Sequence, residues 1–186
     1  CSQLCNLKLK AVPLDARNGW SFSLKELAAA ITPKTRSIVL NTPHNPTGKV
    51  FNQAELSAIS DLARKHELIV ITDEVYEELV FDDHKHLSIA SLPGMWERTI
   101  VMSSAAKNYS MTGWKIGYIF ANERFSKEIR SVHQFIVFCS ATPLQYGIAA
   151  ALDLDEGYYR GYIEDYDRRR LALCDILLSS GFEVFK

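Results

Sequence analysis

Ser104, Lys107 and Lys115 are set three and eight residues apart among Ala, Met, Gly and Trp. Two ammonium groups in semi-apolar surroundings repel each other unless an anion lies between them. A phosphate meets that need, with Ser104 donating a hydrogen bond and Lys115 a charge. Lys107 is then left as an amine nucleophile. Two further groupings stand upstream. Asn41-Thr-Pro-His-Asn45-Pro-Thr-Gly48 is a turn rich in Pro, Asn and Gly, and Asp73-Glu-Val-Tyr76 puts a carboxylate and a phenol three residues apart.

Each of these residues also has a plainer role open to it. Asn45 before Pro46 can simply make the turn, and Asp73 can cap a following helix. Tyr76 can be a core aromatic and Lys107 a solvated lysine. The functional reading rests on their convergence, and that depends on the elements that carry them.

Ser37–Leu40 and Leu68–Thr72 are continuous apolar runs of the buried-strand kind, and Thr99–Ser103 and Ile116–Ala121 supply two more strands. Ser23-Leu-Lys-Glu26 reads as a capping box for a short helix that stops before Thr32-Pro33. Asn52 with Glu55 caps a second helix bearing Leu56, Ile59 and Ala63 on one face. A short helical stretch is expected after Asp73, then a polar loop over 81–93. Thr142-Pro-Leu-Gln145 reads as another capping box. A long amphipathic helix is expected over 156–180, with Gly181 as its C-cap and a strand over 182–185. Strands alternating with helices predict an α/β fold, a mostly parallel sheet covered by helices. Residues 1–155 would form part of a large ligand-binding domain. Residues 156–186 would be a linking helix and the start of a small C-terminal domain. Ligands of such sheets bind beyond the carboxyl ends of the strands, where Asn45, Asp73, Tyr76, Ser104 and Lys107 all fall.

A net charge of −1 does not point to nucleic acid or an anionic membrane as partner. Arg168-Arg169-Arg170 lies among acids, and the helical spacing predicts Glu164–Arg168 and Asp165–Arg169 pairs. Cys1, Cys5, Cys139 and Cys174 are scattered, which suits a reducing, cytoplasmic compartment. No apolar run is long enough to span a bilayer. His84 and His86 with Asp82 and Asp83 read as a polar surface loop rather than a metal site. His44 either borders a substrate or fills its turn.

Taken together, Asn-x-Pro-x-Asn-Pro-Thr-Gly, Asp-x-x-Tyr and Ser-x-x-Lys with a basic residue eight beyond resemble the motifs of class I/II aminotransferases of fold type I. NTPHNPTGKVF, ITDEVYEELVF and NYSMTGWKIGY are most similar to the kynurenine/glutamine and methionine aminotransferase branch. The resemblance covers essentially the whole chain. It implies the part of the fold type I large domain that binds pyridoxal 5′-phosphate (PLP), with Lys107 holding PLP as a Schiff base, the internal aldimine. It implies Asp73 as partner of the pyridine nitrogen, Asn45 and Tyr76 at the ring oxygen, and Ser104 and Lys115 at the phosphate. Lys107, Asp73 and Tyr76 become the catalytic set, with amino acids and 2-oxo acids as substrates and a homodimer as the full-length assembly. A cis Asn45–Pro46 bond is expected on the same ground. Lys115 stands where many relatives carry Arg, and Asn108-Tyr109 where Thr-Phe is commoner.

Other uses of the same residues are carbon–sulfur β-elimination from cysteine conjugates and a PLP-sensing domain of a transcriptional regulator. A Rossmann-like binding module is weakened by the lack of Gly-x-Gly-x-x-Gly. The resemblance further implies a small-residue phosphate loop and a ring-stacking aromatic before residue 1, and after Lys186 an arginine that clamps the substrate carboxylate, a role no arginine of this chain matches. The chain is therefore expected to be an internal piece of a larger enzyme.

Overall fold

A computed structural model describes residues 4–185. Cys1 lies outside that range. A two-residue antiparallel pair, β1 (Leu14–Asp15) with β2 (Ser21–Phe22), precedes α1 (Leu24–Ala30). The main sheet has the order β3 (Ser37–Asn41), β4 (Ile69–Asp73), β5 (Thr99–Ser104) and β6 (Gly117–Ala121). The first three strands are parallel, and β6 runs antiparallel to β5 at the edge. Between β3 and β4 the chain crosses over through α2 (Gln53–Lys65). The remaining helices are α3 (Ala105–Asn108), α4 (Glu123–Ile136), α5 (Thr142–Leu152) and α6 (Glu156–Ser179).

The expected face of α2 is the buried one: Leu56, Ile59 and Ala63 are 0%, 1% and 0% exposed. They pack with Ile38 and Leu40 of β3, Val70 of β4, and Ile89 and Met95 from the connection to β5. Each fully buried aliphatic side chain of this kind contributes about 1.5–3 kcal/mol of transfer free energy. Asn52 and Glu55 complete a reciprocal capping box that fixes where α2 starts, immediately after the Asn41–Gly48 turn. The core therefore anchors β3 and β4 so that Asn41 and Asp73 end opposite each other. The other sheet face is more open, with Val39 at 61% exposure.

Several local expectations change. Residues 75–78 form a turn rather than a helix, directly after β4. Thr142 is already helical, and Ala141 is the N-cap without a side-chain hydrogen bond, so the expected capping box does not form. Gln145 Nε2 instead donates to the Ser140 carbonyl at 2.7 Å. Ser180 is the C-cap of α6, and Gly181 follows it at φ 84°. Gly181 N–H bonds to Leu178 O and Phe182 N–H to Leu177 O, the pairing of a Schellman motif. Residues 182–185 do not form a strand. Arg168 and Arg169 both pair with Asp165, so Glu164 is not the partner expected for Arg168. Arg170 reaches Asp82 at 2.9 Å, tying α6 to the loop after β4.

Candidate active site

The carboxyl ends of β3, β4 and β5 carry the predicted residues to one edge. Asn41 pairs in register with Asp73, and Asp73 with Met102, two residues before Ser104. Asn41 orders the turn that follows it. Its Oδ1 accepts from Asn45 N–H at 2.8 Å, and its Nδ2 donates to the Asp73 carbonyl at 3.2 Å. Asn45–Pro46 is cis as expected, and Thr42–Pro43, which the sequence did not single out, is cis too. His44 fills the turn: its Nδ1 lies 2.7 Å from Thr47 Oγ1, and burial pushes its pKa down.

Three of the predicted side chains meet. Asn45 Nδ2 donates to Tyr76 Oη at 3.4 Å, and Lys107 Nζ stands 5.8 Å from the centroid of the Tyr76 ring. Lys107 is half-buried on the single turn of α3. Asp73 Oδ1 accepts from Val75 N–H at 3.2 Å, so one oxygen does the capping work that a lone Asp would be given. Its other oxygen has no hydrogen-bond partner among the described residues.

Ser104 is the N-cap of α3, accepting from Ala106 N–H at 3.1 Å while its hydroxyl donates to Ile116 O at 2.8 Å. That bond sets it beside Lys115, which is exposed and left-handed at φ 57°. Gly117 faces Ser104 across the β5–β6 pair, and a Cβ there would stand 3.1 Å from Ser103 O.

Behind these residues runs a layer that sequence reasoning missed. Glu74 is 2% exposed and accepts from Thr72 Oγ1 (3.0 Å), Ser88 Oγ (3.0 Å) and His86 Nε2 (2.9 Å). His86 therefore turns inward and is not part of a surface loop, whereas His84 remains exposed. No group of three or more His, Cys, Asp or Glu among the described residues is placed to hold a metal ion. Glu77 Oε1 accepts from Ser103 Oγ at 3.1 Å and Asn108 Nδ2 at 3.4 Å, linking the neighbours of Tyr76, Ser104 and Lys107.

Burial pushes the Glu77 carboxyl above its ordinary value, against the lowering effect of the Ser103 hydrogen bond. A raised folded-state value means that the fold binds this proton more tightly than the unfolded chain does. The resulting stabilisation is complete at acid pH and is lost as pH rises through the raised value. Glu77→Gln, which keeps an acceptor for Ser103 and Asn108, should flatten that part of the stability–pH curve. Urea unfolding of the two proteins across the carboxylate titration range measures it.

Two observations test whether this edge suits a phosphorylated, nitrogen-heterocyclic aldehyde. Lys107 and Lys115 form no salt bridge among the described residues, and Asp73 keeps one carboxylate oxygen unpartnered. Two cations and one anion are thus open on a single rim, the complement of a phosphate and a protonated ring nitrogen. The residues fit such a group.

Known proteins resemble this chain in sequence and in fold. The whole chain, residues 1–186, matches the family described as aminotransferase class I and II. It is 42% identical over 162 residues to kynurenine–oxoglutarate transaminase 1 of Rattus norvegicus, covering 86% of this chain and 38% of that protein. Among solved structures it resembles N-succinyldiaminopimelate aminotransferase from Mycobacterium tuberculosis, with TM-score 0.96 and 39% identity, over 100% of this chain and 48% of that one. It also resembles YbdL of Escherichia coli, identified with a methionine aminotransferase function, with TM-score 0.80 and 39% identity, over 85% and 41% of the two chains. The chain thus spans less than half the length of each of these proteins. The match over its full length and the likeness to known transaminases place this chain in the class I and II aminotransferases, a family that uses PLP.

Proposed function

We propose that the full-length protein transfers an amino group between an amino acid and a 2-oxo acid, with kynurenine-, glutamine- or methionine-type donors. The observation that carries this reading is the meeting of Asn45, Tyr76 and Lys107 at the carboxyl edge of the sheet. PLP, when bound, supplies an aldehyde that takes up amines and a ring that accepts electrons from the substrate Cα.

Lys107 would hold PLP covalently through Nζ and, once released, take the proton from the substrate Cα as general base. The free oxygen of Asp73 would keep the pyridine nitrogen protonated. Asn45 Nδ2 and Tyr76 Oη would donate to the ring oxygen, and their mutual bond already aims them at one place. Lys115 and Ser104 would hold the phosphate, Ser104 by redirecting the hydroxyl now given to Ile116 O. Lysine brings charge to that position but not the planar fork of arginine. We assign residues 1–155 to the large PLP-binding domain and residues 156–186 to the link towards a small domain. A cytoplasmic homodimer is the proposed setting, supported by the scattered thiols and the family likeness. No helix among the described residues is long and apolar enough to cross a membrane.

Incubating the full-length protein with PLP, kynurenine and 2-oxoglutarate, and following glutamate formation, tests the assignment. Glutamate formed with kynurenine, or with glutamine or methionine in its place, and not without PLP, is the expected result. Pyruvate and ammonia from a cysteine conjugate, without any amino transfer, would replace it with a β-lyase. A helix-turn-helix upstream in a protein without turnover would make it a sensor.

A further inference from the structure

The turn that carries Lys107 is gripped from a distant helix. A single helical turn such as α3 leaves its last carbonyls without partners inside the helix. Thr112 Oγ1 takes Ala106 O at 3.0 Å. Lys107 O accepts from the backbone N–H of Ser110 at 3.2 Å, and α6 adds a second donor there and one at the next carbonyl: Tyr162 Oη donates to Lys107 O at 2.5 Å, and Tyr158 Oη donates to Asn108 O at 2.8 Å. The two tyrosines are four residues apart, on one helical face, with their rings stacked at 6.2 Å. Tyr159 Oη meets Tyr109 Oη at 2.6 Å from the same helix. The Lys107 main chain is thus held at its own carbonyl, at the next carbonyl and at the following side chain.

We propose, resting on the PLP reading above, that Tyr162, seconded by Tyr158, is a positioning residue that aims Lys107 Nζ by fixing the carbonyls of its turn. Without α6 the Lys107 carbonyl would keep only local backbone bonds, so the single turn could tilt as a unit and carry its amine with it. The hydroxyls suit the task because burial pushes both phenols up, with Tyr166 adding to the effect at Tyr162 and Tyr159 at Tyr158, so they stay protonated donors. Packing alone does not account for the pattern: rings could fill the space between α3 and α6 without aiming both hydroxyls at consecutive carbonyls.

Tyr162→Phe separates the two roles, since the ring stays and the hydroxyl goes. In the full-length apo protein, PLP is added and its attachment to Lys107 is stopped at intervals with borohydride and read by peptide mass spectrometry. In that capture a C=N bond forms between Nζ and the aldehyde carbon, and water leaves. Capture by Tyr162→Phe is expected to slow about tenfold, the loss of one good hydrogen bond expressed as a rate. The pH midpoint of the visible band should shift as well, with the melting temperature nearly unchanged. Tyr146→Phe, at an exposed position of α5 and without a hydrogen bond to α3 among the described residues, should capture PLP at the wild-type rate. Should Tyr162→Phe fail to fold, Tyr158→Phe carries the same comparison. Wild-type capture and an unchanged pH midpoint in the Phe variant overturn the proposal. A wild-type protein that never carries PLP on Lys107 overturns the cofactor reading, and this proposal with it.

Discussion

Replacing Lys107 by alanine in the full-length protein should abolish covalent attachment of PLP and cut amino transfer by about 10²–10⁴-fold or more, the range of a lost general base. The visible spectrum with PLP, recorded for both proteins, is the measurement. The wild type should show a band that borohydride removes while fixing PLP on Lys107. The variant should show only free or loosely held PLP. Binding itself should survive, because Asp73, Asn45, Tyr76, Ser104 and Lys115 remain. The weakened protein would thus still be protected by PLP against unfolding, by an amount that grows with PLP concentration. An intact lysine-bound band in Lys107→Ala would mean that another amine holds the cofactor. Lys115 would then be the one to examine, since it is exposed on the turn beside Ser104.

The fold was largely legible because its signals are local and strong. The capping box at Asn52 and Glu55, the one-sided apolar face of α2 and the β-branched run of β4 all appear where the residues placed them. The misses lie where tertiary contacts outweigh propensity. Thr142 and Gln145 have the spacing of a capping box, yet the chain enters the helix one residue earlier, and Gln145 finds the Ser140 carbonyl. Residues 182–185 alternate as a strand does, but no neighbouring strand pairs with them among the described residues.

The candidate site divides in the same way. Its front row was readable because a carboxylate, an amide, a phenol and a lysine at successive strand ends form a chemical set with few other uses. Its back row was not, because Glu74, Glu77, Asn108, Tyr158 and Tyr162 gain meaning only through partners distant in sequence. Tyr162 reads as one aromatic on a long helix until its hydroxyl is seen on the carbonyl of Lys107. His86 was the clearest misjudgement. Its neighbours Asp82, Asp83 and His84 are exposed, and nothing local tells that His86 alone turns inward to a buried carboxylate.

That carboxylate carries the second large expectation: Glu74→Ala should destabilise the protein by about 3–5 kcal/mol, the usual cost of removing one member of a buried hydrogen-bonded charge cluster. Three donors lose their acceptor at once, those of Thr72, Ser88 and His86, and His86 Nδ1 already has no hydrogen-bond partner among the described residues. Each donor left buried and unpaired costs about 1–3 kcal/mol, so the sum does not depend on any single bond. Ser88 is the N-cap of the short helical turn that buries Ile89, so the damage should reach the core as well as the site. Urea unfolding measures the loss. Glu74→Gln is the instructive comparison, since its carbonyl can still accept from Thr72 and Ser88, and it should cost clearly less. The effect on PLP should follow the same order, because Glu74 sits between Asp73 and the turn that presents Tyr76, and its N–H holds that junction to Met102 O at 2.8 Å. If Glu74→Ala unfolded at the wild-type urea midpoint and bound PLP normally, the buried cluster would be packing without consequence. The alignment of Asp73 and Tyr76 would then have to come from the Asn41 turn alone.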